Sequence, residues 1–399
     1  MKFAKLSLAA IMAMGVSAFA DVQNIKVSGD AKLFYSTSDK GSNDLFESAG
    51  AMGQAALDLS VSADLAEGVA SKMSVVALNT LGLENNLVSQ VWESGLGNQW
   101  WVSEAWLAKS FGNTTVKVGR QALDTPFAFS ETWSIAQNTF DAAVVLNQDI
   151  QDTTLVAAWV GRGNGTNALN DATAAEAAGG IGLNFAADGK DPFGTYYKGG
   201  AYAFGAITSA IPNTTFQAWY YDVVSTAQAW WLQADVNLKD IVDGVSVGVQ
   251  YAGITPDKNL FPTKDDSSAV AVKVSGNVEG VALSAAYSTV DSGNALPIAN
   301  TATHFNQSKL YTEAWWNYGH VGVAGTDSFN ITAEYSMEDV ADFGLYFTNA
   351  DHETGNDMTE VTVSASKTYG AVDTALVWIT AKDSANYHNT LQVYLTYNF

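Results

Sequence analysis

The last eleven residues, 389–399, read Asn-Thr-Leu-Gln-Val-Tyr-Leu-Thr-Tyr-Asn-Phe. Every second residue from Leu391 to Phe399 is apolar or aromatic, and the residues between them are mostly polar. Because successive side chains of a β-strand point to opposite faces, this stretch predicts a strand with one apolar and one polar face. A soluble sandwich would bury the apolar face, whereas a membrane barrel turns it outward to lipid and keeps a wet interior.

The chain stops on Phe399, an aromatic residue of the apolar face. A last strand that ends in this way is typical of bacterial outer-membrane proteins. The feature therefore favours the membrane barrel over the sandwich, a choice that alternation alone does not make.

The N-terminus indicates export. Lys2 and Lys5 flank the start of an apolar run, 6–16, and residues 18–20 read Ala-Phe-Ala. A positive start, an apolar stretch of this length and small residues at −3 and −1 are typical of a secretory signal peptide. The run is too short to cross about 30 Å of hydrocarbon as a helix. We expect residues 1–20 to be removed and 21–399 to form one β domain.

Composition excludes several classes of function. The chain has no cysteine, which removes thiolate catalysis and the usual structural zinc sites. Its net charge of −22 makes nucleic acid an unexpected partner. Acidic surfaces attract cations, although a generally acidic soluble surface would give the same net charge.

Alternating segments recur along most of 21–399, and the connections between them come in two sizes. Tight ones lie near 65–69, 111–114, 149–153, 209–214, 239–244, 277–281, 337–342 and 369–373. Longer ones include 36–51, 81–100, 122–138, 163–198, 254–266 and 291–327. Short periplasmic turns and long extracellular loops are typical of all-β, transmembrane antiparallel barrels.

The eight tight turns, with both termini periplasmic, imply about eighteen strands. That strand number leaves an aqueous lumen. Two strand-like segments, 180–187 and 309–316, are assigned to long loops. If both were barrel strands, the barrel would have twenty strands. If some of the weakly alternating segments were not strands, it would have sixteen.

Aromatic residues concentrate near the predicted strand ends, among them the pairs Trp100-Trp101 and Trp230-Trp231. Trp and Tyr favour the interfacial girdles of membrane barrels, although ordinary core packing would also satisfy them. We interpret them as girdle residues.

One segment carries a family resemblance. Residues 118–126 read Val-Gly-Arg-Gln-Ala-Leu-Asp-Thr-Pro, followed by Trp133 and by Asn-Thr-Phe-Asp-Ala at 138–142. This order resembles the Campylobacter-type major outer membrane porins of epsilon-class proteobacteria, as do 22–35 and the last strand. The middle of the chain, about 163–330, resembles the family only in its general pattern of alternating segments.

The resemblance implies an eighteen-stranded general-diffusion porin, usually trimeric and mildly cation-selective. In that family the loop after Arg120 would contribute to a constriction. Some members bind calcium, but the resemblance assigns no calcium ligands here.

The loop 121–138 is the candidate for narrowing the pore. Its Pro126-Phe127-Ala128-Phe129 run predicts a packed loop, because exposed tips seldom carry two phenylalanines. Opposed charges at a constriction select ions, although any single one of them could equally be a solvated surface charge. The constriction candidates are Lys117, Arg120, Asp124, Glu131, Asp141 and Arg162.

Arg120 falls on the apolar face of its predicted strand, whereas Lys117 and Gln121 fall on the face towards water. An arginine on the lipid face at mid-bilayer costs about 2–4 kcal/mol. We therefore expect Arg120 to lie at the rim, to reach towards the interface, or to follow a bulge at Gly119. Arg162 is expected on the opposing wall.

An acidic segment around Gly355 is a weak calcium candidate, through Asp351, Glu353, Asp357 and the nearby Glu360. Its spacing lacks the twelve-residue calcium loop motif, so a solvated outer loop is the stronger interpretation. The four histidines show no metal or catalytic spacing. We expect no enzyme and no cofactor beyond such a structural ion.

The sequence thus predicts an outer-membrane porin that passes ions and small polar solutes by diffusion and prefers cations. The expected partners are outer-membrane lipids, lipopolysaccharide and further copies of the chain in a homotrimer. Two alternatives stay open. One is a substrate-specific channel, and the other is a surface adhesin or structural barrel that conducts little.

Overall fold

The computed structural model describes residues 22–66, 68–79, 81–82, 99–132, 135–164, 183–184, 194–196, 200–301, 307–383 and 386–399. The predicted signal peptide lies outside these residues. Within them, no helix is both long and apolar enough to cross a membrane.

The regular secondary structure of the described residues consists of β-strands and one 3-10 turn at Ser48–Gly50. The strands are β1 (Gln23–Ser38), β2 (Ala51–Ala66), β3 (Val69–Asn79), β4 (Gln99–Phe111), β5 (Thr114–Gln121), β6 (Phe140–Asn147), β7 (Thr153–Gly163), β8 (Leu183–Asn184), β9 (Gly194–Tyr196), β10 (Ala201–Thr208), β11 (Thr214–Val223), β12 (Ala227–Asn237), β13 (Val245–Pro256), β14 (Ser267–Val278), β15 (Val281–Val290), β16 (Thr326–Met337), β17 (Ala341–His352), β18 (Met358–Tyr369), β19 (Val372–Asp383) and β20 (Asn386–Asn398).

Eighteen of these strands close into one antiparallel barrel, and the short pair β8 and β9 belongs to the connection between β7 and β10. The last strand pairs with the first, from Asp30↔Asn398 to Ser38↔Thr390. Phe399 extends this ladder, since its N–H donates to the Gly29 carbonyl at 3.0 Å and its carbonyl accepts from the Gly29 N–H at 2.9 Å. The predicted number of eighteen strands is confirmed.

Each of the eight predicted tight turns joins consecutive barrel strands. The connections that alternate with them include the predicted long ones, but also the short connections 224–226, between β11 and β12, and 353–357, between β17 and β18. The described parts of the two strand-like segments do not join the barrel wall, and the rest of 180–187 lies outside the described residues. Residues 183–184 form β8, and 309–316 lie in the connection between β15 and β16.

The apolar face of the strands points outward. In β20, Leu395 and Tyr397 are 38% and 44% exposed, whereas Gln392 is fully buried. Aliphatic side chains such as Val272 and Leu345 are exposed on the outer side of other strands as well. Such a surface suits lipid. The inward side is polar at Gln392, but it is apolar where β6 to β14 pack against connections inside the barrel.

The paired tryptophans do not all reach the lipid. Trp101 and Trp231 are buried towards the interior, whereas Trp100, the neighbour of Trp101, is 73% exposed. Adjacent strand residues face opposite sides, so only one member of each pair can join a girdle. The girdle interpretation was therefore wrong for Trp101 and Trp231.

Among the connections that the structure describes, two fold into the barrel and fill part of its interior. They are the short inward loop, 122–139, and the long inward loop, 291–325, described apart from 133–134 and 302–306. Both contribute to the main buried cluster, together with inward residues of β6 to β14. Buried members from the loops include Phe127, Leu296, Ile298, Leu310 and Val321.

Candidate functional site

The short inward loop is a packed hairpin. The Ser130 N–H donates to the Leu123 carbonyl at 2.8 Å, and the Thr125 N–H donates to the Ala128 carbonyl at 3.2 Å. Phe127, at its tip, is buried. The Phe127 ring meets inward aromatic rings of the wall edge-on, with centroid distances of 5.5 Å to Tyr221 and 5.7 Å to Trp231. The two phenylalanines thus predicted a packed loop correctly.

The two inward loops are joined through Asn300. Its Nδ2 donates to the Phe129 carbonyl and to Glu131 Oε1, both at 2.9 Å. The Thr301 N–H donates to the Phe127 carbonyl at 2.9 Å. Glu131 is only 1% exposed, so this predicted constriction residue holds the loops together and is shielded from the lumen.

Asp124 is the exposed acid of the short inward loop. Its Oδ1 accepts from Lys309 Nζ of the long inward loop at 2.7 Å. The Asp124 side chain is 83% exposed, and Lys309 also lies over the Phe129 ring. Both residues border a small cavity of about 260 Å³ beside Gln233 and Gln250. Asp124 therefore faces open space inside the barrel.

The long inward loop is tied to β12 and β13. The Tyr311 hydroxyl donates to Asp235 Oδ1 at 2.6 Å, and Gln250 bonds both the Lys309 carbonyl and the Tyr311 N–H at 3.0 Å. The inward-facing Gly248 leaves the space for this contact, because a Cβ there would lie 2.5 Å from the Tyr311 hydroxyl oxygen.

A second anchor ties the same loop to β18. Glu360 is buried, and its carboxylate accepts from the Trp316 N–H at 3.0 Å and from the Asn317 N–H at 2.8 Å. The Asn317 amide donates to it as well, at 2.7 Å. A carboxylate that accepts several N–H groups is a strong attachment point.

Glu313 lies close to this anchor and organises the turn around it. It accepts from the Ser308 N–H at 2.6 Å and from the Ala314 N–H at 2.9 Å. Burial raises the pKa of Glu313 to about 7, the hydrogen bonds from Ser308 and Ala314 oppose the rise, and the negative charge of Glu360 adds to it.

Two larger cavities border the inward loops. One, of about 870 Å³, lies against the wall from β14 to β20 and the long inward loop. The other, of about 750 Å³, lies against β1 to β4 and the short inward loop. Thr132 borders both. The loops therefore narrow the interior and leave space on two sides.

Lys117 lies on the inward side of β5, as its parity predicted. Its Nζ lies 4.3 Å from the centre of the Trp106 ring. The Trp106 Nε1 donates to Glu104, which also pairs with Lys72 at 2.7 Å. Lys72 and Glu104 border the second cavity, so Lys117 belongs to a group of alternating charges on this wall.

Arg120, Asp141 and Arg162 form a separate group. Asp141 pairs with Arg120 at 2.7 Å and with Arg162 at 3.6 Å. The neighbours of Asp141 in β6, Phe140 and Ala142, are buried inward, so strand alternation points Asp141 to the outer side. These three predicted constriction residues therefore lie away from the lumen, at the long-loop end of β5 to β7.

This position explains how Arg120 can lie on the apolar, outward face of its strand. It lies one residue from the end of β5, and its Nη1 also donates to the Val102 carbonyl at 2.9 Å. Val102 adjoins a register shift in β4 where Ser103 is the extra residue. The arginine is thus a rim residue that satisfies a carbonyl beside a bulge.

The acidic segment near Gly355 forms no convergent ligand set. Asp357 accepts from the His352 N–H at 3.0 Å, and Asp351 and Glu353 are exposed. Glu360 is turned into the barrel. Among the described residues, no three His, Asp or Glu side chains converge into a group that could hold a metal ion.

A comparison of the sequence with known protein families identifies the family of this chain. The family described as Campylobacter major outer membrane protein matches residues 1–395. The chain belongs to this family. Membership confirms the resemblance seen in residues 118–142 and places the protein in the outer membrane. No curated protein matches the sequence significantly.

Solved structures agree on the fold of this family member. It is similar to Pseudomonas aeruginosa OccK8 (OprE), with a TM-score of 0.71 and 15% identity over 94% of this chain and 98% of that one. P. aeruginosa OpdK, solved with vanillate, has a TM-score of 0.69 and 11% identity, over 94% of this chain and 98% of that one. Acinetobacter baumannii OccAB4 has a TM-score of 0.70 and 11% identity, with the same coverage of both chains. All three likenesses concern the barrel as a fold.

Sequence reasoning missed the role of the long inward loop. It identified 291–327 as a long connection, but not as one that enters the barrel. The signal was present, because Leu296 and Ile298 stand in a stretch without strand alternation, and Trp315 and Trp316 are bulky aromatic residues in a segment assigned to a long loop. The argument used for Phe127 and Phe129 applies equally to them.

Proposed function

We propose that this porin-family barrel is a channel for passive diffusion of ions and small polar solutes. The observation that carries the proposal is the pair of cavities, about 870 and 750 Å³, beside two inward loops in a closed barrel. A lumen that is narrowed but keeps polar-lined space limits solutes by size and charge. The same family membership and fold lead us to expect no catalysis.

We further propose a preference for cations. Among the described residues, the charged groups at the larger cavity are Asp373 and Lys273, together with Glu313, which is partly protonated at neutral pH. The inward-facing Glu334 adds a further negative charge, because it accepts from the hydroxyl of Tyr346 at the same cavity. Among the described side chains, the second cavity is bordered by three lysines and three acids: Lys26, Lys32, Lys72, Asp30, Asp58 and Glu104. Fixed negative charge raises the local concentration of cations, so the larger cavity supports the preference.

The test is single-channel recording of the refolded full-length barrel in planar bilayers, with the reversal potential measured in a KCl gradient. Discrete openings with a cation-selective reversal potential are expected. Folded barrels that give no conductance would overturn the channel, and an anion-selective reversal potential would overturn the preference alone.

Charge variants sharpen this test. Replacing Asp373 with Asn and Glu334 with Gln removes two inward acids and should shift the reversal potential towards zero. The matched control replaces Asp327 and Asp351 with Asn, because these two acids pair across β16 and β17 on the exposed outer side. An equal shift in both double variants would mean that surface charge alone sets the selectivity.

A substrate-specific channel is the second candidate. The firm attachment of the long inward loop through Glu360 and Asp235 favours it, because a fixed loop can form a site of defined shape. Saturation of the conductance by one solute would distinguish this function from general diffusion.

Three further expectations are proposals of the same kind. We propose that residues 1–20 are removed on export, that the chain is a homotrimer, and that its outer face contacts lipid and lipopolysaccharide. The exposed aliphatic outer surface supports the last of these. The intact mass of the exported protein and native mass spectrometry of the detergent-extracted barrel test the first two, and co-purification of lipid A tests the third.

A further inference from the structure

The larger cavity contains a row of three aromatic rings. Trp315 lies between Trp316 and Tyr346, with ring centroids 6.4 Å and 6.3 Å away and interplanar angles of 34° and 39°. All three border the cavity, as does Tyr394. None of the three is fully buried, so the rings present part of their surface to the space inside the barrel.

The row is held from both of its ends. The Trp316 N–H donates to the buried Glu360 at 3.0 Å, and the Tyr346 hydroxyl donates to Glu334 Oε1 at 2.7 Å. Gly344 makes room for the Tyr346 ring, because a Cβ there would lie 2.5 Å from ring atoms. A platform fixed in this way loses little freedom when a ligand covers it.

The charges around the platform are mostly negative. Glu334 lies at one end, and Asp373 borders the same cavity. The cation of this cavity is Lys273, whose Nζ lies over the Tyr311 ring at 4.1 Å. A solute at the platform therefore meets aromatic faces together with an excess of carboxylates.

Aromatic faces and carboxylates together favour one ligand chemistry. An organic ammonium ion gains from the negative face of each ring and from the acids, and its apolar body gains from contact with the rings. An organic anion would gain from the rings but be repelled by the acids. A bare metal ion would need converging oxygen ligands, which the described residues do not offer.

We propose that this cavity is a binding site for organic ammonium ions, meaning small solutes that carry a positive amine on an apolar body. The proposal rests on the channel function above and names a solute class for it. Binding must be weak and brief, because a site in a conducting path has to release what it holds.

The test uses three probes of the same ring and different charge: benzylammonium, benzyl alcohol and benzoate. Each is added to one side of a bilayer that holds single channels conducting KCl, and the blocking events are counted and timed. Benzylammonium should interrupt the current with longer events than the other two. Equal or longer block by benzoate or benzyl alcohol would overturn the ammonium site.

Variants assign the block to the platform. Trp315→Ala should shorten the benzylammonium events by about three- to tenfold, the range of a partly desolvated cation–π contact. Trp378→Ala is the matched control, because Trp378 is an outward-facing tryptophan of β19 that is 39% exposed. If benzylammonium blocks the Trp315→Ala channel for as long as it blocks the wild type, the platform is not the binding site.

A second variant separates charge from ring. Glu334→Gln keeps the Tyr346 ring and an acceptor for its hydroxyl, and it should shorten benzylammonium events while leaving those of benzyl alcohol unchanged. If the wild type conducts KCl normally but benzylammonium does not block it, the ammonium site is ruled out and the channel function still stands. Loss of conductance altogether would remove both.

Discussion

Arg120 and Asp141 join β5 to β6 through a paired contact on the outer side of the barrel. The Nε of Arg120 donates to Asp141 Oδ1 at 2.7 Å, and Nη2 donates to Oδ2 at 3.2 Å. Arg162 approaches the same carboxylate from β7 at 3.6 Å. These are the two arginines of the whole sequence, and the fold brings both to one aspartate.

This geometry predicts a role in stability for Arg120. Arg120→Lys loses the paired contact and the bond to the Val102 carbonyl, because lysine presents a single point charge. The free energy of unfolding should fall by about 1–2 kcal/mol, measured by urea titration in lipid vesicles. Arg162→Lys, with its longer contact, should cost less. A changed ion selectivity with unchanged stability would instead place Arg120 in the pore.

The junction between the two inward loops gives a second prediction. Asn300→Ala removes the Nδ2 donor to Phe129 and Glu131 and leaves the buried Glu131 carboxylate with one donor fewer. The open-channel current should become noisier as the short inward loop loosens. Asn294→Ala, which removes an exposed donor to the Thr263 carbonyl, is the control. Equal current noise in both variants would contradict the role of Asn300 in holding the two inward loops together.

Glu313 predicts a pH dependence of the long inward loop. Its ordinary pKa of 4.5 is raised in the folded barrel to about 7, because burial disfavours the carboxylate. The protonated form is thus favoured inside the barrel, and the stability it provides is complete below about pH 4.5 and is lost as pH rises through about 7. Hydrogen exchange of residues 308–314 should therefore be faster at pH 8 than at pH 5.

Glu313→Gln is the test of that assignment, since the amide cannot ionise. The difference in exchange between pH 5 and pH 8, after correction for the intrinsic rate, should disappear in this variant. A difference that persists would mean that another group controls the loop.

The closing strand gives a fourth prediction. Deletion of Phe399 removes both backbone hydrogen bonds to Gly29 and the ring stacked on Tyr397 at 5.9 Å. Phe399→Ala removes the ring alone. The deletion should reduce the yield of folded barrel, seen as heat-modifiable mobility on gels, more than Phe399→Ala does. Equal yields would show that the backbone pairing at this position is dispensable.

The wall of the barrel could be predicted from local sequence. The alternation in 389–399 fixed which residues face lipid, and the tight turns fixed the number of strands, because both depend on neighbours within a few residues. The Phe127 and Phe129 pair also predicted a packed loop from local composition. For Lys117 and Gln121, parity sufficed to choose the side.

The charges at the candidate site needed the tertiary structure. Glu131 was expected to face the lumen, but it is buried because Asn300, distant in sequence, lies against it. Arg162 was expected on the opposing wall, yet a register shift in β7 and the pairing of β6 with β7 bring it to Asp141. No local pattern reports such pairings.

By itself, the sequence determined a series of alternating strands joined by eight tight turns, since period-two alternation and turn spacing are properties of consecutive residues. Together with the terminal aromatic residue, these features predicted a membrane barrel of about eighteen strands. Only the tertiary structure decided what fills the barrel. The long inward loop is held by Asp235, Gln250 and Glu360, which lie on three different strands. Contacts between segments so far apart depend on closure of the whole wall, which brings those strands around the loop.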